Sequence, residues 1–181
     1  MTVHFTKYQG TGNDFILIDD RNNSFPTSDA IIQSLCDRHF GIGADGLILI
    51  QNHPTLDYQM VYFNSDGSQS LCGNGSRCGF AFVQSLGMIA NKATFETTDG
   101  IHEIRELDGL IHFQLFDTPK PKSINESEWF INTGSPHHIK LVEQVAEENI
   151  KSEGRRIRNL PTYSSQNGTQ IVKKWQKRAV F

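Results

Sequence analysis

The sequence predicts an α+β fold, on three observations. Short apolar runs of strand length recur, bounded by glycine, asparagine or aspartate. Two stretches in the first half carry apolar residues at helical spacing. Asp-Gly pairs at Asp99-Gly100 and Asp108-Gly109 join successive runs, as hairpin turns do.

The elements follow in order. Val3 to Gln9 (VHFTKYQ) alternates apolar and polar residues, which suits a half-buried strand. Gly10, Gly12 and Asn13 interrupt it, and Phe15 to Ile18 (FILI) reads as a buried strand, so the two form a hairpin or bend. Ser28 to Arg38 reads as a helix with Ser24, Thr27 or Ser28 as its N-cap and Ile31, Ile32, Leu35 and Cys36 along one face. Gly41, Gly43 and Gly46 break the chain before two further strands, Leu47 to Ile50 (LILI) and Tyr58 to Phe63 (YQMVYF). Asn64 to Gly67 (NSDG) is a turn. A helix is predicted over Ser76 to Leu86, with Phe80 and Val83 on its apolar face and Gly87 as C-cap. Phe95, Ile101 to Ile104 and Leu110 to Phe116 read as strands.

The composition then shifts. Thr118 to Glu128 (TPKPKSINESE) is rich in proline, serine and charge and reads as a linker. It divides the chain into a first domain, 1–117, and a second, 118–181. Beyond it, Phe130 to Thr133 and His138 to Val142 read as strands and Val145 to Ser152 as a short helix, while Leu160 to Phe181 lacks periodicity. No internal repeat of solenoid period is present.

Composition narrows the function classes. With 37% hydrophobic and 20% charged residues and a net charge of −3, the chain has the make-up of an ordinary globular protein. It has no basic patch of the kind that binds nucleic acid. The one basic cluster, Lys173, Lys174, Lys177 and Arg178, reads as a solvated tail. No apolar stretch of about 18 residues is present, so no membrane helix is expected. The N-terminal residues lack a signal-peptide core. The three cysteines, Cys36, Cys72 and Cys78, are an odd count without a signal, which argues for free thiols in a reducing, cytoplasmic setting.

The segment with the clearest chemistry is Leu71 to Cys78, LCGNGSRC. Cys72 stands just before a Gly-Asn-Gly turn that leads into the second helix. Backbone N–H groups and the helix dipole at that end favour an anion, and the same field lowers the pKa of a thiol held there. Glycines allow close approach to a ligand. A cysteine in that position suits acid/base work at an α-carbon next to a carboxylate. An inert loop thiol is the plainer alternative for Cys72, and packing is the better reading of Cys36 and Cys78. Cys-x5-Cys has no second pair to complete a zinc site, so no metal is expected.

LCGNGSRC resembles the first active-site segment of the diaminopimelate epimerases. Lys7 to Phe15 (KYQGTGNDF) resembles that family's first substrate loop. Cys36 to Leu47 (CDRHFGIGADGL) and Phe63 to Ser68 (FNSDGS) resemble two further family segments, and Thr133 to His138 (TGSPHH) resembles its Gly-Asn-Pro-His region. The five occur in family order. The resemblance implies a diaminopimelate-epimerase-like fold, with a mixed or antiparallel sheet around a central helix, the first domain complete or nearly so and the second partial. It implies epimerisation of LL-diaminopimelate to the meso form by two opposed cysteines, without cofactor, pyridoxal phosphate or metal.

Carried over by match, Cys72 is one catalytic thiol. Asn13 and Asn64 bind the substrate's distal amino acid or carboxylate. Gly73 and Asn74 bind the α-carboxylate through backbone N–H groups, and His137 supports the site. Asparagine is also common in turns for backbone reasons, and His137 follows a proline and reads equally as a loop histidine. Ser135 stands where many relatives have asparagine; a hydroxyl is shorter and has one donor, which puts a direct substrate contact there in doubt. The binding partner implied is the small molecule diaminopimelate, and a homodimer is compatible with the sequence.

The family's second cysteine is expected late, in a Cys-Gly-(Thr/Ser)-Gly turn after Glu-Arg-Gly. Neither occurs in the 181 residues, and the match fades after Gly168-Thr169. The expectation is therefore a truncated or frame-shifted epimerase impaired by loss of the second base. Two rivals stay open: a proline racemase or hydroxyproline epimerase relative, which Asn74 and the TGNDF loop disfavour, and a non-catalytic remnant.

Overall fold

The computed structural model describes residues 3–164 and 171–176. It divides into two compact units, Met1–Leu115 and Phe116–Phe181.

The first unit is built on strands β1 (Thr6–Gly10), β2 (Asn13–Asp19), β3 (Gly46–Gln51), β4 (Tyr58–Asn64), β5 (Lys92–Thr97), β6 (Gly100–Leu107) and β7 (Leu110–Phe113). They form one seven-stranded mixed sheet in chain order. Helix α1 (Asp29–Cys36) connects β2 to the parallel β3, and α2 (Gly73–Ser85) connects β4 to the parallel β5.

The FILI and LILI runs are apolar throughout because both faces of the sheet are covered. In a strand, alternate side chains point to opposite faces. Phe15 and Leu17 of β2, Ile48 and Ile50 of β3, and Met60 and Tyr62 of β4 share one core with Phe80, Phe82 and Val83 of α2. Ile16 and Ile18, Leu47 and Leu49, and Phe63 share another with Ile32 and Cys36 of α1. Helix α2 packs against β1 and β7, the two edges of the strand order, as well as β2, β3 and β4. The sheet therefore curls around α2, which makes α2 the central helix.

The turns follow the sequence signals. β1 and β2 are joined by Thr11 and Gly12, both at positive φ (56° and 85°), the two-residue hairpin geometry. Asp108 and Gly109 (53° and 74°) do the same between β6 and β7. The other Asp-Gly pair differs: Gly100 already pairs with Thr97, so the turn is Thr98-Asp99.

In the second unit, β8 (Lys122–Asn125), β9 (Glu128–Asn132), β10 (Pro136–Val142) and β11 (Ile171–Gln176) form a sheet in the order β11-β10-β9-β8. A 3₁₀ turn (Val145–Glu147) and helices α3 (Ile150–Arg158) and α4 (Pro161–Ser164) lie between β10 and β11. Three expectations are corrected here. The stretch read as a linker holds β8, an edge strand with four exposed residues and hence no burial pattern to read. The helix expected over Val145 to Ser152 is a 3₁₀ turn followed by α3, which runs on to Arg158. The stretch without periodicity holds α4 and β11. The break in family likeness at Gly168-Thr169, and Lys177 and Arg178 of the basic cluster, lie outside the described residues.

Candidate active site

Register brings the first unit's motifs to one end of its sheet. Asn13 begins β2, Gly46 begins β3 and Asn64 ends β4, with Gly46 paired to both Phe15 and Asn64. The chain leaves Asn64 through a turn closed by Asn64 N–H to the Ser68 carbonyl (2.8 Å) and enters α2 at the same end.

Helix α2 starts earlier than the sequence predicts. Gly73, Asn74 and Gly75 form its first turn instead of a preceding loop, and Cys72 is the N-cap. Glycine has poor helix propensity, which is why composition alone delays the start. Packing of α2 inside the curled sheet overrides that preference. The Cys72 carbonyl accepts from Ser76 N–H at 2.8 Å and from Ser76 Oγ at 3.0 Å. Its sulfur accepts from Gly75 N–H at 3.3 Å. Caps are ordinarily serine, threonine, aspartate or asparagine. A sulfur in that place is a weaker acceptor and a stronger nucleophile. A side chain at position 75 would put its Cβ 3.4 Å from Cys72 Sγ, so glycine keeps this approach open.

The other expected residues of the first unit converge on the same sulfur. Asn13 Nδ2 lies 3.8 Å from it. The Asn74 backbone N–H lies near the sulfur and lowers its pKa, and the Asn74 side-chain Oδ1 accepts from Arg77 Nη2. Asn64 is one step removed. Its Nδ2 faces the Ser68 carbonyl (3.1 Å), Ser68 Oγ (3.1 Å) and Ser70 Oγ (3.3 Å), and its Oδ1 accepts from the Tyr62 hydroxyl at 2.9 Å. Tyr62, which the sequence reading does not single out, holds Asn64 and lies near enough to Cys72 for its hydroxyl to lower the thiol. Its only sequence signal is an aromatic at the buried phase of β4, which any core tyrosine shares.

The electrostatics correct one expectation. Burial raises the Cys72 thiol above its ordinary range and outweighs the backbone N–H groups of Gly75 and Asn74, the Tyr62 hydroxyl and the Arg77 charge, all of which lower it. Burial thus favours the thiol over the thiolate at Cys72. Cys36 and Cys78 are buried, and desolvation pushes each to about 11. All three cysteines are free.

A charge cluster ties the first two family-like segments together. Asp14 bonds to Lys7 Nζ (2.8 Å) and Arg38 Nη2 (2.7 Å), and Arg38 also reaches Asp45 (2.8 Å). The Arg38 guanidinium holds the Asp14 carboxyl far below the usual carboxylate range. The β1–β2 hairpin is thereby fastened to the loop that precedes β3.

His137 belongs to the second unit. It is buried on β10, with Nδ1 2.7 Å from the Ser135 carbonyl and 3.3 Å from Thr133 Oγ1. Ser135 is itself buried. Its neighbour His138 meets the Tyr163 hydroxyl at 2.7 Å. Among the described residues no group of three or more His, Cys, Asp or Glu is placed to hold a metal ion. Among them, too, no helix is long and apolar enough to cross a membrane.

A family model described as diaminopimelate epimerase matches residues 5–110. The diaminopimelate epimerase of Flavobacterium psychrophilum is 49% identical over 169 residues, covering 91% of this chain and 65% of that protein. Those of Aquifex aeolicus (39%, 86% and 63%) and Nostoc punctiforme (37%, 95% and 72%) are also similar. The chain thus spans just under two thirds of the first two relatives' length. Among solved structures, a hydroxyproline epimerase from Agrobacterium vitis with bound trans-4-hydroxy-L-proline has a TM-score of 0.57 at 12% identity, covering 84% of this chain and 55% of that one. A Bacillus anthracis phenazine biosynthesis protein of the PhzF family has 0.56 at 16%, covering 77% and 55%. At such identities these two speak for the fold alone. The family model, the curated relatives and the convergence of its segments at Cys72 agree: the chain belongs to the diaminopimelate epimerase family of isomerases.

Proposed function

We propose that this chain carries one half of the proton relay that interconverts LL- and meso-diaminopimelate. The observation that supports it most is Cys72 at the N-cap of α2, with Asn13 and the Asn64–Tyr62 pair at the same end of the sheet. In this reading the Cys72 thiol gives a proton to the substrate α-carbon in one direction and its thiolate removes one in the other. Backbone N–H groups at Gly73 and Asn74 receive the α-carboxylate, which a helix N-terminus stabilises by about 0.3–1 kcal/mol or more when partly buried. Asn13 and Asn64 orient the substrate's polar groups. His137, which contacts Thr133 Oγ1 and the Ser135 carbonyl within the second unit, is the residue to which the family resemblance assigns a supporting role.

Inversion needs a second acid/base group on the opposite face of the α-carbon. Cys36 and Cys78 are poor candidates, since both are buried in apolar cores with their thiols pushed to about 11. The 181-residue polypeptide alone is therefore expected to epimerise slowly. One positioned acid/base group is worth about 10²–10⁴-fold. The check is incubation with LL-diaminopimelate in D₂O, reading α-deuteration and the LL-to-meso ratio, beside the Flavobacterium psychrophilum relative. Expected is inversion slower than the relative's by at least about 10²-fold, and Cys72 alone labelled rapidly by an electrophilic diaminopimelate analogue. Inversion at the relative's rate would contradict the need for a second base. Equal, slow labelling of all three cysteines would contradict the half-site itself.

A further inference from the structure

The second unit buries a titratable side chain that the proton relay does not use. His138 on β10 is 2% exposed and stands directly opposite Phe130 of β9 in the strand register. Tyr163 of α4 lies against both. Its ring stacks on Phe130 at 5.8 Å and meets the His138 ring edge-on at 5.8 Å. Its hydroxyl is 2.7 Å from His138 Nδ1. Helix α4 has four residues, too few to hold a helix in water by themselves. Its place therefore depends on what the buried Tyr163 touches.

The two ring nitrogens of His138 differ. Nδ1 faces the phenol. Nε2 is buried without a hydrogen-bond partner among the described residues, and the Glu128 carboxylate stands 3.8 Å from it, beyond hydrogen-bond reach. A neutral imidazole carries one proton. With that proton on Nε2, Nδ1 accepts from the Tyr163 O–H, and the phenol proton is satisfied. With it on Nδ1, the phenol proton would lose this acceptor and a ring lone pair would face Glu128. The geometry favours the first arrangement. An imidazolium carries a proton on both nitrogens. A proton taken up at Nδ1 therefore ends the bond from Tyr163 and sets one donor against another.

We propose that the Tyr163–His138 bond is an acid-sensitive latch, which clasps α4 to β9 and β10 while His138 is neutral and releases it when the ring takes up a proton. Among the described side chains, the charged and titratable groups around His138 are Glu128 from β9, Lys140 from β10, Glu153 and Arg156 from α3 and Tyr163 from α4. Burial lowers the His138 pKa from its ordinary 6.5; Glu128 and Glu153 oppose that shift, and Arg156 and Lys140 add to it. The folded chain thus takes up this proton less readily than the unfolded one. The stability that the contact gives is full above about pH 6.5 and is lost as pH falls toward the folded value.

The test is amide hydrogen exchange read by mass spectrometry on the full 181-residue chain, at about pH 7.5 and about pH 5.5, with rates corrected for the intrinsic pH dependence. The readout is protection of the peptide over 159–164, which includes the Tyr163 N–H bonded to the Leu160 carbonyl at 2.8 Å. About one unit of that interval lies below the ordinary histidine value, and one proton changes an equilibrium by at most about tenfold per unit. Protection of this peptide is therefore expected to fall by up to about tenfold at the lower pH, while peptides over β2 and β3 keep theirs. His138→Asn leaves an acceptor near the place of Nδ1 and takes up no proton, and is expected to give the same protection at both pH values. The ratio between the two pH values is compared, so an asparagine variant that is less stable throughout still reports. Tyr163→Phe keeps the ring and removes the hydroxyl, and is expected to be several-fold less protected than the parent at the higher pH. The Glu153 carboxyl, held down to about 2, stays ionised across the interval. Equal protection of the parent peptide at both pH values overturns the latch. A fall that persists undiminished in His138→Asn assigns the effect to another group and also overturns it. Protection of Tyr163→Phe equal to the parent's at the higher pH overturns the role of the hydroxyl.

Discussion

The two units bury different things. In the first, the sheet is covered on both faces, by two apolar clusters around α1 and α2. In the second, the buried hydrophobic residues among those described are Ile157 and Tyr163, joined by Ser135, His137 and His138. Among the described residues, directed contacts join them: His138 meets the Tyr163 hydroxyl at 2.7 Å and Phe130 stacks on Tyr163 at 5.8 Å. Apolar packing is non-directional and adds up with area, whereas buried polar groups contribute only while each keeps its partner. The first unit thus has the means to hold Cys72 rigidly. Among the described residues of the second unit, polar groups make up a larger share of what is buried.

The largest effect that separates the units is core truncation. Phe80 is fully buried on α2 between the curled strands. Phe80→Ala is expected to destabilise by about 3–5 kcal/mol and to abolish the distinct reactivity of Cys72, eight positions earlier on the same helix. Ile157→Ala on α3 removes fewer buried atoms and is expected to cost less, about 2–4 kcal/mol. Denaturant titration monitored separately by Cys72 labelling and by the fluorescence of the two tryptophans, Trp129 and Trp175, measures both. A larger loss from Ile157→Ala would reverse the comparison.

That contrast also explains what the sequence made legible. FILI and LILI announce β2 and β3 because strands covered on both faces are apolar at every position. The helix faces are legible because Ile32, Cys36, Phe80 and Val83 recur at helical spacing. In the second unit β8 has four exposed residues, and a strand without a buried face leaves no pattern. At the site, LCGNGSRC marks Cys72, but the helix start was misplaced because packing overrides the glycines' low propensity. The direction of the thiol's pKa shift is not legible because sequence reveals the helix dipole and not the depth of burial. Tyr62 and the Lys7–Asp14–Arg38–Asp45 cluster were missed because each depends on strand register or on partners distant in sequence.

Glycine substitutions sharpen the same contrast with opposite signs. At Gly46 a methyl group would press on the Tyr62 ring and stand 2.6 Å from the Phe63 carbonyl. Gly46→Ala is expected to destabilise by about 1–3 kcal/mol, the usual range for overpacking, and to disturb Cys72 labelling by displacing Tyr62. Gly154 lies inside α3, and a Cβ there meets nothing within 4 Å. Gly154→Ala is expected to stabilise by about 0.5–1 kcal/mol through helix propensity. Melting temperatures decide it. Destabilisation by Gly154→Ala would mean that the second unit is packed as tightly as the first.

The smallest expected effect concerns charge in the second unit. Glu153 on α3 bonds to Arg156 on its own helix (2.8 Å) and to Lys140 on β10 (2.8 Å), so it ties helix to sheet. The Arg156 guanidinium, followed by the Lys140 ammonium, holds the Glu153 carboxyl down to about 2 from an ordinary 4.5. A folded-state pKa below the unfolded one gives stability that is present above the unfolded value and is lost as pH falls through the folded value. The contribution is therefore full above about pH 4.5 and fades toward pH 2. Both cations are partly exposed, so solvent screens the network and its contribution near neutral pH is small. Glu153→Gln is expected to lower the denaturation midpoint modestly at pH 6 and to match the parent chain as pH approaches 2. Other carboxylates titrate in both chains, and the difference between the two curves cancels them. A difference that grows toward low pH would have the wrong sign for a carboxylate stabilised in the folded state. It would show that the tie between α3 and β10 is made by packing and not by charge.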